Sequence, residues 1–215
     1  IHSIGHVRYS TSGESRLGNA QPLVFKYRGG DLALATNGNI VNAPELREQL
    51  EQQGSIFQTT SDTEVIAHLI ARSKRTNIAE AIQDALGQII GGYALLILTN
   101  NSLYAATDPN GLRPLVLGKL GDAYILASET CAFESIGADY VRDVQPGEFL
   151  RLDKDGVHEG RYAPMERRAL CAMEFIYLAR PDSDLNGINL HAARKRMGRQ
   201  LALESPVEAD VVTGV

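Results

Sequence analysis

The order of patterns along the chain predicts an α+β fold in which β-sheets pack face to face and helices cover the outside. Three observations lead there. Residues 1–40 read as strands joined by polar loops, residues 42–86 carry helical periodicity, and residues 91–152 return to short β-rich runs.

In the first stretch the strands are expected over residues 4–9 and 32–36, with Gly29-Gly30-Asp31 as turn chemistry between them. Asn42 is placed to cap a helix, Glu45 stands at the reciprocal capping-box position, and Gly54 lies where a C-terminal cap belongs. Leu46 and Leu50, one turn apart, give that helix a buried stripe. A second helix follows Ser61-Asp62, with Val65, Ile66, Leu69 and Ile70 on one face. A third opens at Asn77 and carries Ile78, Ala81, Ile82, Ala85 and Leu86 at helical spacing. The later strands fall at 93–99, 103–107, 115–117, 124–127 and 149–152, with Asn100-Asn101 and Gly121-Asp122 as hairpin turns. Residues 153–168 are polar and charged, so a boundary is placed there, dividing 1–165 from 166–215. Beyond it the pattern gives a helix over 191–203 and a buried strand beginning at 209–213, the start of a truncated second domain.

Composition sets the class. The 215 residues are 44% hydrophobic and 22% charged, ordinary for a soluble globular protein. A net charge of -5 argues against a general nucleic-acid binder, whose phosphate contacts need a basic surface. Small anionic substrates need only a few local cations and stay allowed. No apolar run approaches the roughly 20 residues of a membrane-spanning helix. The first six residues hold neither Met nor an apolar stretch, so they read as neither a signal peptide nor a natural start. Two cysteines, Cys131 and Cys171, are too few for a secreted disulfide scaffold, and a reducing cytoplasm is expected.

Three short motifs carry the chemistry. Asn37-Gly38-Asn39 follows an apolar run, and its ordinary use is a tight turn. Its functional use is an oxyanion hole, in which the Asn37 amide and the Gly38 N–H converge on a carbonyl oxygen as it becomes negative. Asp62 ordinarily caps a helix, but a carboxylate there can also anchor a substrate ammonium. Arg8 is either a surface cation or a planar fork for a carboxylate, with hydroxyls from Tyr9 and Thr11 beside it. Each motif is weak alone. Together they describe a free amino acid with a side-chain amide, glutamine or asparagine.

Gly5-His6-Val7-Arg8-Tyr9-Ser10-Thr11, Asn37-Gly38-Asn39-Ile40-Val41-Asn42 and Ser61-Asp62-Thr63-Glu64 resemble the glutaminase motifs of class II glutamine amidotransferases, which are N-terminal-nucleophile hydrolases. Asp108-Pro109-Asn110-Gly111-Leu112-Arg113-Pro114-Leu115, Ala127-Ser128-Glu129-Thr130-Cys131-Ala132-Phe133 and Arg180-Pro181-Asp182-Ser183 resemble the amidophosphoribosyltransferase branch. The resemblance implies a four-layer α-β-β-α sandwich, then the start of a type I phosphoribosyltransferase α/β domain. It implies that Arg8 binds the glutamine α-carboxylate with Tyr9 and Thr11 lining the pocket, that Asp62 binds the α-ammonium, and that Asn37 and Gly38 form the oxyanion hole. It further implies an enzyme that makes 5-phosphoribosylamine from glutamine and phosphoribosyl pyrophosphate, the first step of purine synthesis.

In that family the nucleophile is a Cys at the mature N-terminus, and this sequence begins Ile1-His2. The chain is therefore expected to be an inactive fragment lacking its first strand and nucleophile, since neither internal cysteine has a free α-amine. Cys171 lies in a segment resembling the one that supplies a 4Fe-4S ligand in the cluster-bearing branch. A cluster needs four thiolates, so none is expected to form within these residues. Cys131 is expected to be packed, and the five histidines to be structural or surface residues. The resemblance also implies magnesium at the phosphoribosyltransferase site and a homo-oligomer. Rival readings are another class II amidotransferase, such as a hexosamine-forming or asparagine-forming synthetase, and a non-catalytic amino-acid-binding relative.

Overall fold

Residues 2–7 and 13–213 are described by the structure, a computed structural model. Three helices, α1 (Ala43–Gln52), α2 (Glu64–Arg72) and α3 (Ile78–Leu86), lie on one face of a six-stranded antiparallel sheet. The sheet runs in the order β1 (Leu23–Tyr27), β2 (Gly30–Ile40), β3 (Gly91–Thr99), β4 (Leu103–Thr107), β8 (Glu148–Asp153), β9 (Gly156–Arg161). On its other face packs a three-stranded sheet of β5 (Val116–Leu120), β6 (Ala123–Ala127) and β7 (Asp139–Asp143), in the order β6-β5-β7.

Alternation builds these layers. In β2 and β3, Leu32, Leu34, Leu95 and Ile97 point into the core shared with Val65, Ile66, Ile82 and Leu86 of the helices. Ala94, Ala105, Leu150 and Leu152 point the other way, into the core shared with Leu115, Leu117 and Val144. A four-residue helix, α4 (Cys131–Glu134), sets Phe133 against Gly118 of the smaller sheet, where a β-carbon would lie 2.8 Å from the ring. Mixed helices and antiparallel sheets thus match the expected class.

Several expectations change. Asn42 precedes α1 but does not cap it: its amide donates to Gln88 O (2.9 Å) and its oxygen accepts from Ile90 N (2.8 Å), tying α1 to the α3–β3 connection. Cross-connection wins because the same donor and acceptor satisfy two loop groups there. Asn77 does cap α3, accepting from Ala79 N at 2.8 Å, and Gly54 takes the left-handed φ of +88° just after α1.

Residues 4–7 form no strand, and Val7 is 95% exposed, while residues 8 and 9 lie outside the described residues. Residues 209–213 are also outside any strand, with Val211 and Val212 exposed. Both segments have strand-like alternation but no ladder partner among the described residues, and a strand needs one. Conversely, β7 and β9 are paired strands without an apolar signature: β9 has mostly exposed side chains and is held by its register with β8.

The chain past β9 adds a small apolar cluster docked on the rest of the fold through Arg113 to Glu174 (2.8 Å) and through Glu129, which accepts from Arg180 N and Ser183 Oγ (2.8 Å each). It contains a π-helical turn (Glu174–Leu178), a short hairpin of β10 (Asp184–Leu185) and β11 (Ile188–Asn189), and helix α5 (Leu190–Glu204) around Ala179, Leu185 and Leu190. Asn189 caps α5 by accepting from Ala192 N at 3.1 Å.

Candidate functional site

Asn37-Gly38-Asn39 is not a turn. It lies inside β2, in register with Ala94, Tyr93 and Gly92 of β3. The strand tolerates it because Gly38 adopts φ +127°, and a β-carbon there would overlap the Gly92 carbonyl oxygen and sit 2.9 Å from the Tyr93 Cα. Only glycine meets both conditions.

β1 accompanies β2 only as far as Leu34, so beyond that residue one edge of β2 has no strand beside it among the described residues. Side chains take its place. Thr36 N donates to Gln21 Oε1 at 2.6 Å, and Ile40 N donates to Asp62 Oδ2 at 2.8 Å. Alternate N–H groups of a strand face the same edge, so the Gly38 N–H falls on this edge between the two occupied donors. The Asn37 amide makes no hydrogen bond with another described residue and is half-buried.

Asp62 therefore does not cap α2. Ser61 serves the helix entry, with its Oγ accepting from Thr63 N at 3.3 Å, while Asp62 reaches across to β2. Strand geometry puts Ile40 about 6.7 Å beyond Gly38. Glutamine's ammonium nitrogen and amide carbon are four bonds apart, about 5 Å when extended. A carboxylate at one mark and a backbone donor at the other are spaced on the scale of a glutamine side chain.

The surrounding loops are laced to each other. Asn19, fully buried, donates to Glu14 O (2.6 Å) and Thr60 Oγ1 (2.7 Å) and accepts from Thr60 N (3.0 Å). Gln21 also donates to Thr63 Oγ1 at 3.3 Å. On the far side Asp108, fully buried, accepts from Tyr93 N (3.1 Å), Asn110 N (2.9 Å) and Leu112 N (2.9 Å), fixing the 108–112 loop to β3 opposite Gly38. Tyr93 Oη and Tyr162 Oη are 2.7 Å apart, and burial pushes the Tyr93 phenol up to about 12 and the Tyr162 phenol up as well.

Asn19, Gln21 and Asp108 were not singled out from the sequence as site-building residues. Polar side chains next to Pro or Gly read locally as loop chemistry, and only the fold reveals their distant partners. Arg8, Tyr9 and Thr11 lie outside the described residues.

Cys131 is buried, with its Sγ 3.8 Å from Glu129 Oε2, as expected of a packed thiol. Cys171 is half-buried and free. Among the described residues no three His, Cys, Asp or Glu side chains converge on a metal position, so a cluster does not fit on these residues alone. Nor is any helix among them long and apolar enough to cross a membrane.

A sequence profile described as "Glutamine amidotransferase domain" matches residues 6–135. The chain belongs to the glutamine amidotransferase family. Asn37, Gly38 and Asp62 all fall inside the matched stretch. Within this family, the chain is 55% identical over 214 residues to an amidophosphoribosyltransferase of Bacillus subtilis, covering 99% of this chain and 45% of that protein. It is 50% identical over 215 residues to an amidophosphoribosyltransferase of Staphylococcus aureus, covering all of this chain and 44% of that one. A solved glutamine phosphoribosylpyrophosphate amidotransferase from B. subtilis, complexed with ADP and GMP, superposes with a TM-score of 0.89 at 53% identity, over 95% of this chain and 44% of that one. A solved structure described as the allosteric regulatory enzyme of purine biosynthesis gives 0.92 at 55% identity, over 98% and 45%. The chain thus spans slightly under half the length of these relatives.

Proposed function

We propose that this chain is the glutamine-handling part of an amidophosphoribosyltransferase. In the whole enzyme, ammonia freed from glutamine displaces pyrophosphate from phosphoribosyl pyrophosphate and gives 5-phosphoribosylamine. The observation that carries the reading is the open edge of β2, where Asp62 is docked on Ile40 N and the Gly38 N–H lies two residues away. Asp62 meets the α-ammonium with a carboxylate, and Gly38 with the Asn37 amide meets the oxyanion. From the motif resemblance alone, Arg8 is assigned to the α-carboxylate and Tyr9 and Thr11 to substrate binding.

The attacking thiolate lies outside this sequence on our reading. Cys131 is buried against Glu129, Cys171 belongs to the unit beyond β9, and neither has the free α-amine that would serve as its base. The layered sheets support an N-terminal-nucleophile hydrolase sandwich, and residues 166–215 are read as the lead into a phosphoribosyltransferase domain with its own magnesium. We also propose that Cys171 supplies one thiolate of a 4Fe-4S cluster, with the other three ligands outside these residues, and that the enzyme is a cytoplasmic homo-oligomer.

The test uses the natural full-length protein. Asn37→Ala should lower kcat with glutamine by about 10²–10³-fold, because the oxyanion meets the amide only as charge develops. Asp62→Asn should chiefly raise the glutamine KM, because the ammonium is charged before reaction. Synthesis from free ammonia should survive both changes. A parallel fall in ammonia-dependent synthesis would refute the assignment of these residues to glutamine.

A further inference from the structure

Two residues beyond Asp62 stands a carboxylate that the glutamine reading does not use. Glu64, in the first turn of α2, is completely buried. Its oxygens accept from Gln58 N (2.8 Å), Thr59 N (2.7 Å) and Thr59 Oγ1 (2.7 Å). The Thr59 hydroxyl, having donated to Glu64, accepts from Ser61 N at 3.1 Å. Arg47 of α1 donates to Thr59 O, stacks 4.0 Å over the Phe57 ring and lies 3.8 Å from the Glu64 carboxylate. His68, one turn along α2, lies 3.5 Å from it on the other side.

Burying a carboxylate is costly unless hydrogen bonds and a countercharge replace its water. Here both are supplied by the short loop that ends in Asp62 and by the two helices flanking it. Among the described residues the Glu64 carboxylate takes its hydrogen bonds from Gln58 and Thr59, not from Asp62 or β2. It acts on the backbone from which Asp62 projects, through Thr59 and Ser61. A loop folded around a fixed internal anion has little freedom, so its last side chain arrives already aimed at Ile40 N.

We propose that Glu64, relayed by the Thr59 hydroxyl, is the positioning residue that holds Asp62 ready for the substrate ammonium. The proposal rests on the reading of Asp62 as the ammonium site. It makes the Glu64–Thr59 pair a determinant of selectivity for amino acids over amides that lack an α-ammonium.

The experiment uses the full-length protein and two probes. Glutamine reports KM, and glutaramate, which is glutamine with hydrogen in place of the α-ammonium, reports an inhibition constant. In Glu64→Gln the amide NH2 must face one of the two backbone donors, which disrupts the loop while preserving side-chain size. The glutamine KM should rise about tenfold, as loss of one or two charged hydrogen bonds implies. The glutaramate constant should stay within about twofold, because it has no ammonium to lose. Thr59→Val, near-isosteric without the hydroxyl, should shift glutamine in the same direction by a smaller factor, and Thr59→Ser should restore the wild-type ratio.

Asp62→Asn is run beside them. If it leaves the glutamine KM unchanged, the ammonium reading itself has failed. If it raises KM while Glu64→Gln and Thr59→Val weaken both probes equally, Glu64 serves only the fold and the positioning proposal is wrong. Should Glu64→Gln not yield folded protein, the Thr59→Val and Thr59→Ser pair decides by the same ratio.

Discussion

Replacing Gly38 by alanine should destabilise this chain by roughly 2–6 kcal/mol, and two separate costs make up that figure. A side chain at φ +127° is strained by about 1–3 kcal/mol. The added methyl would also overlap the Gly92 carbonyl oxygen and crowd the Tyr93 Cα at 2.9 Å, and both are backbone atoms that cannot rotate aside. Relieving that contact means moving β2 from β3 by on the order of 1 Å, at overpacking costs of about 1–3 kcal/mol or more. For a chain of this length each kcal/mol lowers Tm by about 2–4 °C, so a fall of about 4–24 °C is expected in thermal unfolding followed by circular dichroism. Gly54→Ala is the matched control. Gly54 also has positive φ, at +88°, but no atom lies within 4 Å of its missing β-carbon. It should lose only the conformational part, about 1–2 kcal/mol. Equal Tm shifts for the two variants would refute the argument that close strand approach, rather than turn conformation, demands glycine at position 38. In the full-length enzyme, a Gly38 N–H displaced by 1 Å should lower glutamine-dependent turnover by about 10²-fold.

Other outcomes follow from the same structure. If the attacking thiolate lies outside these residues, as proposed, the 215-residue chain should release no ammonia from glutamine above a mock-purified control, and measurable release would overturn that assignment. Burial raises the phenols of Tyr93 and Tyr162 above their ordinary value, and the Tyr93 contribution to stability is complete below pH 10 and is lost as pH rises through about 12. Tyr93→Phe should flatten that alkaline loss in denaturation curves between pH 9 and about 12, while costing about 1 kcal/mol near neutrality for the broken hydroxyl contact; an unchanged alkaline slope would exclude Tyr93 as its source. Full-length protein purified anaerobically should contain iron and sulfide, and Cys171→Ser should lose them and unfold at lower temperature. Fully active, colourless, iron-free wild-type protein would leave Cys171 as a packed thiol.

The periodic elements were legible from sequence because their signal is local. The stripes of Leu46 and Leu50, of Val65 to Ile70 and of Ile78 to Leu86 repeat at 3.6 residues whatever they pack against, and all three helices are where those stripes place them. The turns at Asn100-Asn101 and Gly121-Asp122 were equally local. Strands without an apolar alternation were not: β7 and β9 exist because neighbours pair with them.

The candidate site divides along the same line. Residue types alone pointed to Asn37, Gly38 and Asp62 and to an amide-bearing amino acid, since carboxylate, amide and glycine carry their chemistry wherever they sit. That Asn37-Gly38-Asn39 is strand rather than turn, and that Asp62 reaches across to β2 instead of capping α2, was decided by tertiary structure. Pairing with β3 keeps residues 37–39 extended, and an unfilled backbone edge brings Asp62 across. Among the described residues, β1 stops at Leu34 and no other strand pairs with the N–H groups of Thr36, Gly38 and Ile40, and buried donors must be satisfied. Gln21 and Asp62 come from 15 and 22 residues away to satisfy two of them. No window of sequence around either motif contains that requirement.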